Sequence, residues 1–457
     1  MKIYQIFLFA LLISTVIGCQ LDDKDSPEPQ DTFVKYYGVD GTQVAVDFLF
    51  EEATQNVIIL GSVDSSGGVA QRDVTIIRTD FAGNEISTVN LDFSGQDGVL
   101  TDDIPASLKE DPNREGGYLL AGTTTRVFDG DPYSVMFLAT LNSDFSIQDS
   151  LTIDAFTISG LDTTANDLTG ADLIRDSSDG TLIVTGSSTK PESDAGDEIA
   201  ANGDETQIFI AKVDIEQDSV IWRRTRGFEG NDDAIYIDEF DPVGSPGNFV
   251  IVGTSEQVAG EGSNVFLLPI NSIASPSDGE VVGFDINGSR TFDDVSHGVF
   301  KRPDGYVVTG TSTDGASTFP FFVNFNFSAD EIVSINEAKA ITLVNNPIQP
   351  NGSLRGSGLG ITLGLNGNYV IVGNYLDFED IGGTEKNDEI LVTQLDQSGN
   401  EVPGMDRNYG LLSGNDIGED VLILPNGDIL ILSTVDFGSG STVIGLLRLN
   451  SEGEIMQ

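Results

Sequence analysis

The sequence has very little of the chemistry that most enzyme sites use. It contains one cysteine, one histidine and one tryptophan among 457 residues. A zinc site of histidine and cysteine ligands is excluded for want of ligands. No Gly-x-Ser-x-Gly elbow accompanies the lone His297, and no phosphate- or dinucleotide-binding fingerprint lies between a strand and a helix. We therefore expect His297 to line a channel or lie in the core, and Trp222 to pack on an outer strand.

Basic residues are also scarce. The chain has 22 Lys and Arg against 73 Asp and Glu, a formal net charge of -51. Such a surface repels phosphate backbones and anionic membrane surfaces, so nucleic acid is excluded as a partner. Cations and basic surfaces remain as partners, and solubility alone is the alternative explanation of the charge.

The N-terminus carries a targeting signal. Lys2 precedes an apolar run over residues 3–17, which is too short to span a bilayer comfortably. Val16-Ile17-Gly18-Cys19 follows and resembles the bacterial lipobox, which implies cleavage before Cys19 and lipidation of its thiol. Cys19 is the sole cysteine and cannot form an intramolecular disulfide. Residues 1–18 are thus interpreted as a lipoprotein signal peptide, and the alternative is an ordinary signal peptide with an incidental cysteine.

Residues 19–31 are polar, acidic and proline-containing, which predicts a disordered tether. Leu21-Asp22-Asp23-Lys24-Asp25 resembles the acidic export signal of Bacteroidota surface lipoproteins, and Gln20 in place of Asp argues by family analogy against inner-membrane retention. The resemblance implies an outer-membrane lipoprotein, attached to the membrane by its lipid. Whether it faces the periplasm or the exterior stays open.

One short pattern recurs along the rest of the chain. In Asp304-Gly305-Tyr306-Val307-Val308-Thr309-Gly310, a turn signal precedes an apolar strand that is expected to end at the glycine. Relatives of it recur at intervals of roughly 60 residues, which indicates a repeat architecture. The seven copies lie at residues 56–61, 117–122, 180–186, 248–253, 304–310, 368–373 and 427–433.

Each repeat predicts four antiparallel strands, which we call A to D, with this pattern on strand B. Four such strands in a unit of this size are typical of a β-propeller blade with long loops. The last repeat lacks a complete strand D, and residues 32–38 resemble the end of other D strands. We therefore predict an all-β, seven-bladed propeller over residues 32–457, closed by the N-terminal strand, and expect a monomer. The repeat region resembles uncharacterised β-propeller lipoproteins of Bacteroidota, which implies fold and surface location.

Alternating strand directions place the short A–B and C–D turns on one face and the B–C loops and D–A connections on the other. The longest B–C loops are expected at residues 187–205 and 374–387. Variable loops on a rigid scaffold are where binding usually resides, so the B–C/D–A face is the predicted functional face. The alternative is that the variation of these loops is neutral and that the face has no specific function.

Aspartates recur on that face, at or just before strand A. They can form an acidic mouth for Ca²⁺ or for a polycationic or hydroxyl-rich ligand, or they can accept backbone N–H bonds at turns. The candidate residues are Asp102, Asp103, Asp232, Asp233, Asp293, Asp294, Asp416 and Asp420. Asp129 and Asp131 form a further calcium candidate without EF-hand spacing. No other cofactor is expected.

Two classes of function remain. The leading one is a non-catalytic binding or scaffolding lipoprotein with a protein or glycan partner. The alternative is a surface glycan-active enzyme, a hydrolase or lyase, that uses carboxylates at the channel mouth. Catalysis predicts a cluster of carboxylates with raised pKa values there. Binding predicts an exposed aromatic or acidic patch without such a cluster.

Overall fold

The structure is a computed structural model, and it describes most of the chain from residue 32 onward. The described residues are 32–38, 41–64, 71–93, 102–128, 131–154, 167–189, 206–227, 230–240, 247–256, 262–271, 293–314, 317–328, 331–341, 356–378, 385–410, 414–438 and 441–455. Within them the regular structure consists of β-strands and one short 3-10 turn, Ile215–Gln217, in a C–D connection.

The strands form seven antiparallel sheets, and we number these blades in chain order. Six of them are consecutive stretches of chain, and the seventh combines the last three strands with the N-terminal one. Blade 1 contains β2 (Gln43–Glu51), β3 (Asn56–Asp64), β4 (Arg72–Thr79) and β5 (Glu85–Leu91). Blade 2 contains β6 (Asp103–Glu110), β7 (Tyr118–Phe128), β8 (Asp131–Leu141) and β9 (Ile147–Ile153). Blade 3 contains β10 (Leu168–Arg175), β11 (Leu182–Ser188), β12 (Gln207–Asp214) and β13 (Ser219–Arg226).

The remaining blades follow the same order. Blade 4 contains β14 (Asp232–Glu239), β15 (Asn248–Ser255) and β16 (Asn264–Asn271). Blade 5 contains β17 (Asp293–Arg302), β18 (Gly305–Asp314), β19 (Ser317–Ser328) and β20 (Glu331–Ala340). Blade 6 contains β21 (Gly356–Leu363), β22 (Tyr369–Phe378), β23 (Glu385–Leu395) and β24 (Arg407–Tyr409). Blade 7 contains β25 (Ile417–Ile423), β26 (Ile429–Asp436), β27 (Thr442–Leu449) and β1 (Phe33–Tyr37).

These sheets confirm the predicted seven-bladed propeller. Blade 4 has three described strands, and residues 272–292, which follow β16, lie outside the described part of the chain. The N-terminal strand completes the last blade as predicted, because β1 pairs antiparallel with β27 from Phe33 opposite Arg448 to Tyr37 opposite Ile444. This pairing leaves no open edge between the first and last parts of the chain.

The hydrophobic core lies between the blades. It divides into seven clusters, and each combines buried side chains from two adjacent blades. The cluster between blades 7 and 1 packs Leu430 and Leu446 with Ile59 and Ile77, so the ring of packing closes. The A strands contact one another in sequence, and β25 contacts β2, which places the A strands around a central channel.

Every A strand contains a β-bulge at the same level, close to the B–C/D–A face. The irregularities lie between Ala45 and Asp47, Pro105 and Ser107, Gly170 and Asp172, Ala234 and Tyr236, Ser296 and Gly298, Gly358 and Gly360, and Gly418 and Asp420. Each bulge leaves one extra residue on the inner strand and re-aims the side chains around it.

The bulges explain the repeated glycine of strand B, and here one expectation is wrong. The glycines do not end their strands, since β18 continues past Gly310 to Asp314. Instead, each glycine lies opposite a bulge, where a Cβ would come within 3.0 Å of a backbone carbonyl oxygen of strand A. This holds for Gly61, Gly122, Gly186, Gly253, Gly310 and Gly373.

Blade 7 solves the same packing problem differently. Ser433 replaces the glycine, and its strand C partner is Gly445. A Cβ on Gly445 would meet the Ser433 Oγ, so Ser433 occupies the space that a larger strand C side chain fills in the other blades. Compared with the other blades, blade 7 therefore has its glycine on strand C and the larger residue on strand B.

Candidate functional site

The loop lengths on the B–C/D–A face fit the predicted strand order, with one correction. The long B–C interval of blade 3 separates β11, which ends at Ser188, from β12, which begins at Gln207. The predicted loop at residues 374–387 is mostly strand, because β22 continues to Phe378 and β23 begins at Glu385. Tyr133 on β8 and Tyr375 on β22 are buried strand residues close to this face, so neither offers an exposed aromatic surface.

At five of the seven blade junctions, the acidic or amide residue that begins the D–A entry has a structural role. Its side-chain oxygen accepts a backbone N–H from the start of strand C in the preceding blade. Asp102 thus accepts from Arg72 at 3.0 Å and Asp293 accepts from Ser263 at 3.0 Å. In the same way, the side chains of Asp167, Asn231 and Asn415 accept the backbone N–H groups of Ser134, Thr206 and Asp388, respectively.

The next position on strand A holds a buried aspartate in four blades. These residues are Asp103, Asp232, Asp294 and Asp416. Of the remaining candidates, Asp233 is exposed on β14 and Asp420 follows the bulge of β25. The predicted residues therefore occupy equivalent places at separate blade junctions. The structure does not collect them at one point.

The bulged residues form a ring of partly accessible side chains around the channel. They are Val46, Ala106, Ala171, Ile235, His297, Leu359 and Glu419. His297 is accessible, while the adjacent Ser296 is buried against the Thr254 hydroxyl, as the alternation along the strand predicts. The protein around the channel partly desolvates this accessible side chain and thereby lowers the pKa of His297. Burial likewise raises the pKa of Glu419 to about 7.

The carboxylates that follow the bulges bind the A strands to one another. The Asp47 Oδ2 accepts the Leu108 N–H of blade 2 at 2.8 Å, and the Asp172 Oδ2 accepts the Ile237 N–H of blade 4 at 2.9 Å. Burial, and then the neighbouring Asp172 carboxylate, raise the pKa of Asp47 to about 6. Burial and the Asp47 carboxylate raise the pKa of Asp420 as well. Asp47 and Asp172 carry no motif that predicts this role, because only the tertiary structure brings successive A strands together.

A second acidic group lies at the junction of blades 1 and 2, on the B–C/D–A face. Ligand oxygens of Asp73, Asp92 and Asp103 all lie within 4.8 Å of one another. Asp103 is buried, Asp73 is half-buried and Asp92 is exposed, so the group opens to solvent on one side. Burial, and also the two neighbouring carboxylates, raise the pKa of Asp103 to about 6. We call these three residues the junction 1/2 triad.

Two sequence predictions concern residues that the structure describes only in part or not at all. Asp131 begins β8 and pairs with Phe128, while Asp129 lies outside the described residues. Cys19 and the proposed tether also lie outside them. In the part of the chain that is described, no helix is long and apolar enough to cross a membrane.

Comparisons with known proteins add little to this geometry. No protein-family model matches the sequence, and no curated protein matches it. Among solved structures, an acylaminoacyl peptidase from Pyrococcus horikoshii is similar over 90% of this chain and 52% of its own, with 10% identity and a TM-score of 0.41. A sialidase from Trypanosoma rangeli is similar over 90% of this chain and 55% of its own, with 8% identity and a TM-score of 0.43.

An ulvan lyase from a new family of polysaccharide lyases is similar over 77% of this chain and 82% of its own, with 12% identity and a TM-score of 0.45. The present chain spans about half the length of the peptidase and the sialidase. Identities this low concern the fold alone, and no ligand or activity follows from them for this chain.

Proposed function

We propose that this protein is a lipid-anchored, non-catalytic binding or scaffolding propeller of the outer membrane. The observation that carries the binding role is the variation in length of the B–C connections. They range from residues 129–130 in blade 2 and 315–316 in blade 5 to residues 189–206 in blade 3. Such variable segments on a closed, rigid ring are typical of a binding face.

The binding proposal is tested by screening the purified full-length protein, in detergent, against an array of glycans and a panel of basic peptides. Binding should disappear in Asp233→Arg, which reverses an exposed charge on the B–C/D–A face. Glu52→Arg reverses an exposed charge on the opposite face and should leave binding unchanged. Equal effects of both substitutions, or loss in Glu52→Arg alone, would contradict the assignment of the face.

The anchor proposal rests on the Val16-Ile17-Gly18-Cys19 motif. Several acyl chains on Cys19 would give stable attachment where a single chain would be marginal. Cys19→Ala should release the protein from the membrane fraction and abolish incorporation of labelled palmitate. Unchanged fractionation would refute lipidation, and digestion of intact cells by an added protease would separate an exterior location from a periplasmic one.

A second candidate function is a glycan-active enzyme, a hydrolase or lyase. It is favoured by Glu419, whose pKa of about 7 suits a general acid or base, and by the neighbouring Asp420 and Asp47 carboxylates. It ranks second because Asp47 and Asp420 already accept backbone N–H bonds, from Leu108 and Val421 respectively. Glycosidic cleavage needs two carboxyl groups acting on one bond.

The two candidates are separated by assaying polysaccharides for new reducing ends or unsaturated products. An enzyme would release them, and Glu419→Gln would stop release while the protein stays folded. A binding propeller would hold a glycan without changing it, and Glu419→Gln would then have no effect on product formation, because there is none.

A further inference from the structure

The N-terminal strand begins at the A–B/C–D face of the propeller. It is strand D of blade 7, and its first residue, Phe33, pairs with Arg448 next to the end of strand C. The Phe33 ring lies against Gly83 in the C–D turn of blade 1, where a Cβ would come within 2.7 Å of it. The Tyr37 hydroxyl donates to the Gly83 carbonyl oxygen at 2.7 Å. The point at which residues 19–31 join the ring is therefore fixed at this face, between blades 7 and 1.

The distance from Cys19 to that point limits how the ring can face a membrane. Residues 19–31 comprise 13 residues. A flexible chain of this length spans about 20 Å on average, and about 45 Å when fully extended. A strand such as β3, with 9 residues, is about 30 Å long from one face of the ring to the other. A lipid on Cys19 therefore brings the A–B/C–D face to the membrane, whereas the opposite face would need a chain stretched well beyond its average span.

Exposed aliphatic side chains lie near the same face. Of the 11 exposed large apolar side chains in the described residues, seven are close to the A–B/C–D face. Five occupy the second, third or first position of an outer strand D, one lies in an A–B turn, and one directly follows a C–D turn. We call these residues the aliphatic rim. They are Val34, Ile86, Ile147, Val220, Ile221, Leu365 and Ile455.

The aliphatic rim surrounds the point where the chain from Cys19 arrives. Its residues belong to blades 6, 7, 1, 2 and 3, which are neighbours in the ring, and that chain arrives between blades 7 and 1. Single exposed apolar side chains are ordinary on protein surfaces. An arc of them around the attachment point of a lipid suits contact with the boundary between headgroups and acyl chains.

The basic residues near this face are paired with acids. Nine lysine and arginine side chains there form ion pairs with carboxylates, namely Arg78, Lys109, Arg114, Arg175, Lys212, Lys301, Arg302, Arg407 and Arg448. Between described residues near the other face, Arg72 pairs with Asp64 and Arg126 with Asp154. Neighbouring charges of opposite sign cancel at a distance, so the A–B/C–D face repels a lipid surface less than the net charge of -51 suggests.

We propose that the A–B/C–D face rests on the membrane that holds the lipid anchor, with the aliphatic rim at the headgroups, and that the B–C/D–A face points away from the membrane. This orientation rests on the lipidation of Cys19 proposed above. It fits a surface of zwitterionic lipids, because the net negative charge of the protein opposes an anionic one. The variable B–C connections are then presented to partners that approach from the aqueous phase.

The test uses the lipidated full-length protein, purified in detergent and inserted into phosphatidylcholine vesicles. Cys19 is the only cysteine and its thiol carries the lipid, so a cysteine introduced elsewhere is the single site for a fluorescent label. Glu52→Cys places the label on the exposed A–B turn of blade 1, and Asn90→Cys places it near the exposed end of strand D in the same blade. A quencher on the lipid headgroups should quench the first label at least threefold more strongly than the second.

The contribution of the aliphatic rim is tested with two matched pairs of substitutions. Ile86→Glu combined with Ile221→Glu should lower the quenching of the Glu52→Cys label at least twofold, because charged side chains leave the headgroup boundary for water. Ile104→Glu combined with Val127→Glu alters side chains of similar exposure near the B–C/D–A face and should leave the quenching unchanged. Equal effects of the two pairs would overturn the role of the rim.

Flotation of the vesicles separates failure of the anchor from failure of the orientation. Protein that does not float with the vesicles lacks the anchor, which refutes lipidation and the orientation together. Protein that floats, but shows equal quenching of the two labels or stronger quenching in Asn90→Cys, keeps the anchor and overturns the orientation alone.

Discussion

Lys109 and Asp172 meet across the junction between blades 2 and 3, with 2.7 Å between the ammonium Nζ and the carboxylate Oδ2. The same oxygen accepts the Ile237 N–H of blade 4, and Oδ1 accepts the Ser107 hydroxyl at 2.7 Å. One buried carboxylate therefore holds three successive A strands, which explains how a ring made of separate sheets keeps its inner wall together.

Lys109→Met should lower the free energy of unfolding by about 3 kcal/mol, because it leaves the Asp172 charge without its ammonium in a site where only 4% of that side chain is exposed. Lys301→Met is the matched control. Lys301 pairs with Asp238, but both side chains of this pair are more exposed, 52% and 11% against 32% and 4% for Lys109 and Asp172, so the loss should stay below about 1 kcal/mol. Urea denaturation measures both, and equal losses would contradict the role given to burial.

Glu419 should make stability depend on pH. Its pKa is about 7 in the folded protein and near its ordinary value of 4.5 in the unfolded chain. Between those values the folded carboxyl holds a proton that the unfolded chain has lost, so its contribution is most favourable at low pH and declines as pH rises through about 7. Glu419→Gln should therefore be more stable than the unmutated protein at pH 8, by about 2–3 kcal/mol, and not at pH 4.5. A difference that does not change with pH would refute this account.

Gly310→Ala tests the packing of the repeated glycine against the bulge. The added methyl group would press on the Val295 carbonyl oxygen and lie 2.7 Å from the Phe321 ring, so unfolding should become easier by about 3 kcal/mol. Gly404→Ala meets nothing within 4 Å, and its φ of +78° should cost only about 1 kcal/mol. Thermal unfolding of the two variants measures both losses of stability. Similar losses would mean that the bulge does not require glycine.

The exchange between Ser433 and Gly445 predicts coupling between two substitutions. Gly445→Thr alone should clash with the Ser433 Oγ, and Ser433→Gly alone should leave a gap. The double variant copies blade 1, where Gly61 faces Thr75, and should recover at least about 1 kcal/mol relative to the sum of the single losses. A double-mutant cycle measures this recovery, and simple additivity would show that the two positions do not share one space.

Much of the fold was readable from local signals. Turn residues followed by apolar runs located strand B of each blade, as in β18, because Asp-Gly turns and β-branched residues favour a hairpin wherever they occur. Closure of the ring could also be inferred from the sequence. The last repeat has no complete strand D after residue 450, and a segment that resembles strand D lies at Phe33–Tyr37. The loop expected at residues 374–387 was wrong because polar strand residues such as Asn374 and Asn387 resemble loop residues when their cross-strand partners are unknown.

The candidate sites were less accessible to sequence reasoning. Asp103 was identified from its repeated place before strand A, but its partners Asp73 and Asp92 were not, because neither carries a motif of its own. Likewise, the register of a β-bulge depends on pairing between strands, so the ring that contains His297 and Glu419 has no signature along the chain.

The sequence by itself determined the number of blades, the order of their strands and the strand that closes the ring, because these follow from short-range turn chemistry and hydrophobic periodicity repeated seven times. Only the tertiary structure decided which charges meet. Asp73, Asp92 and Asp103 belong to two blades and come together at their junction, where the packing of one sheet against the next sets distances that no spacing along the chain encodes.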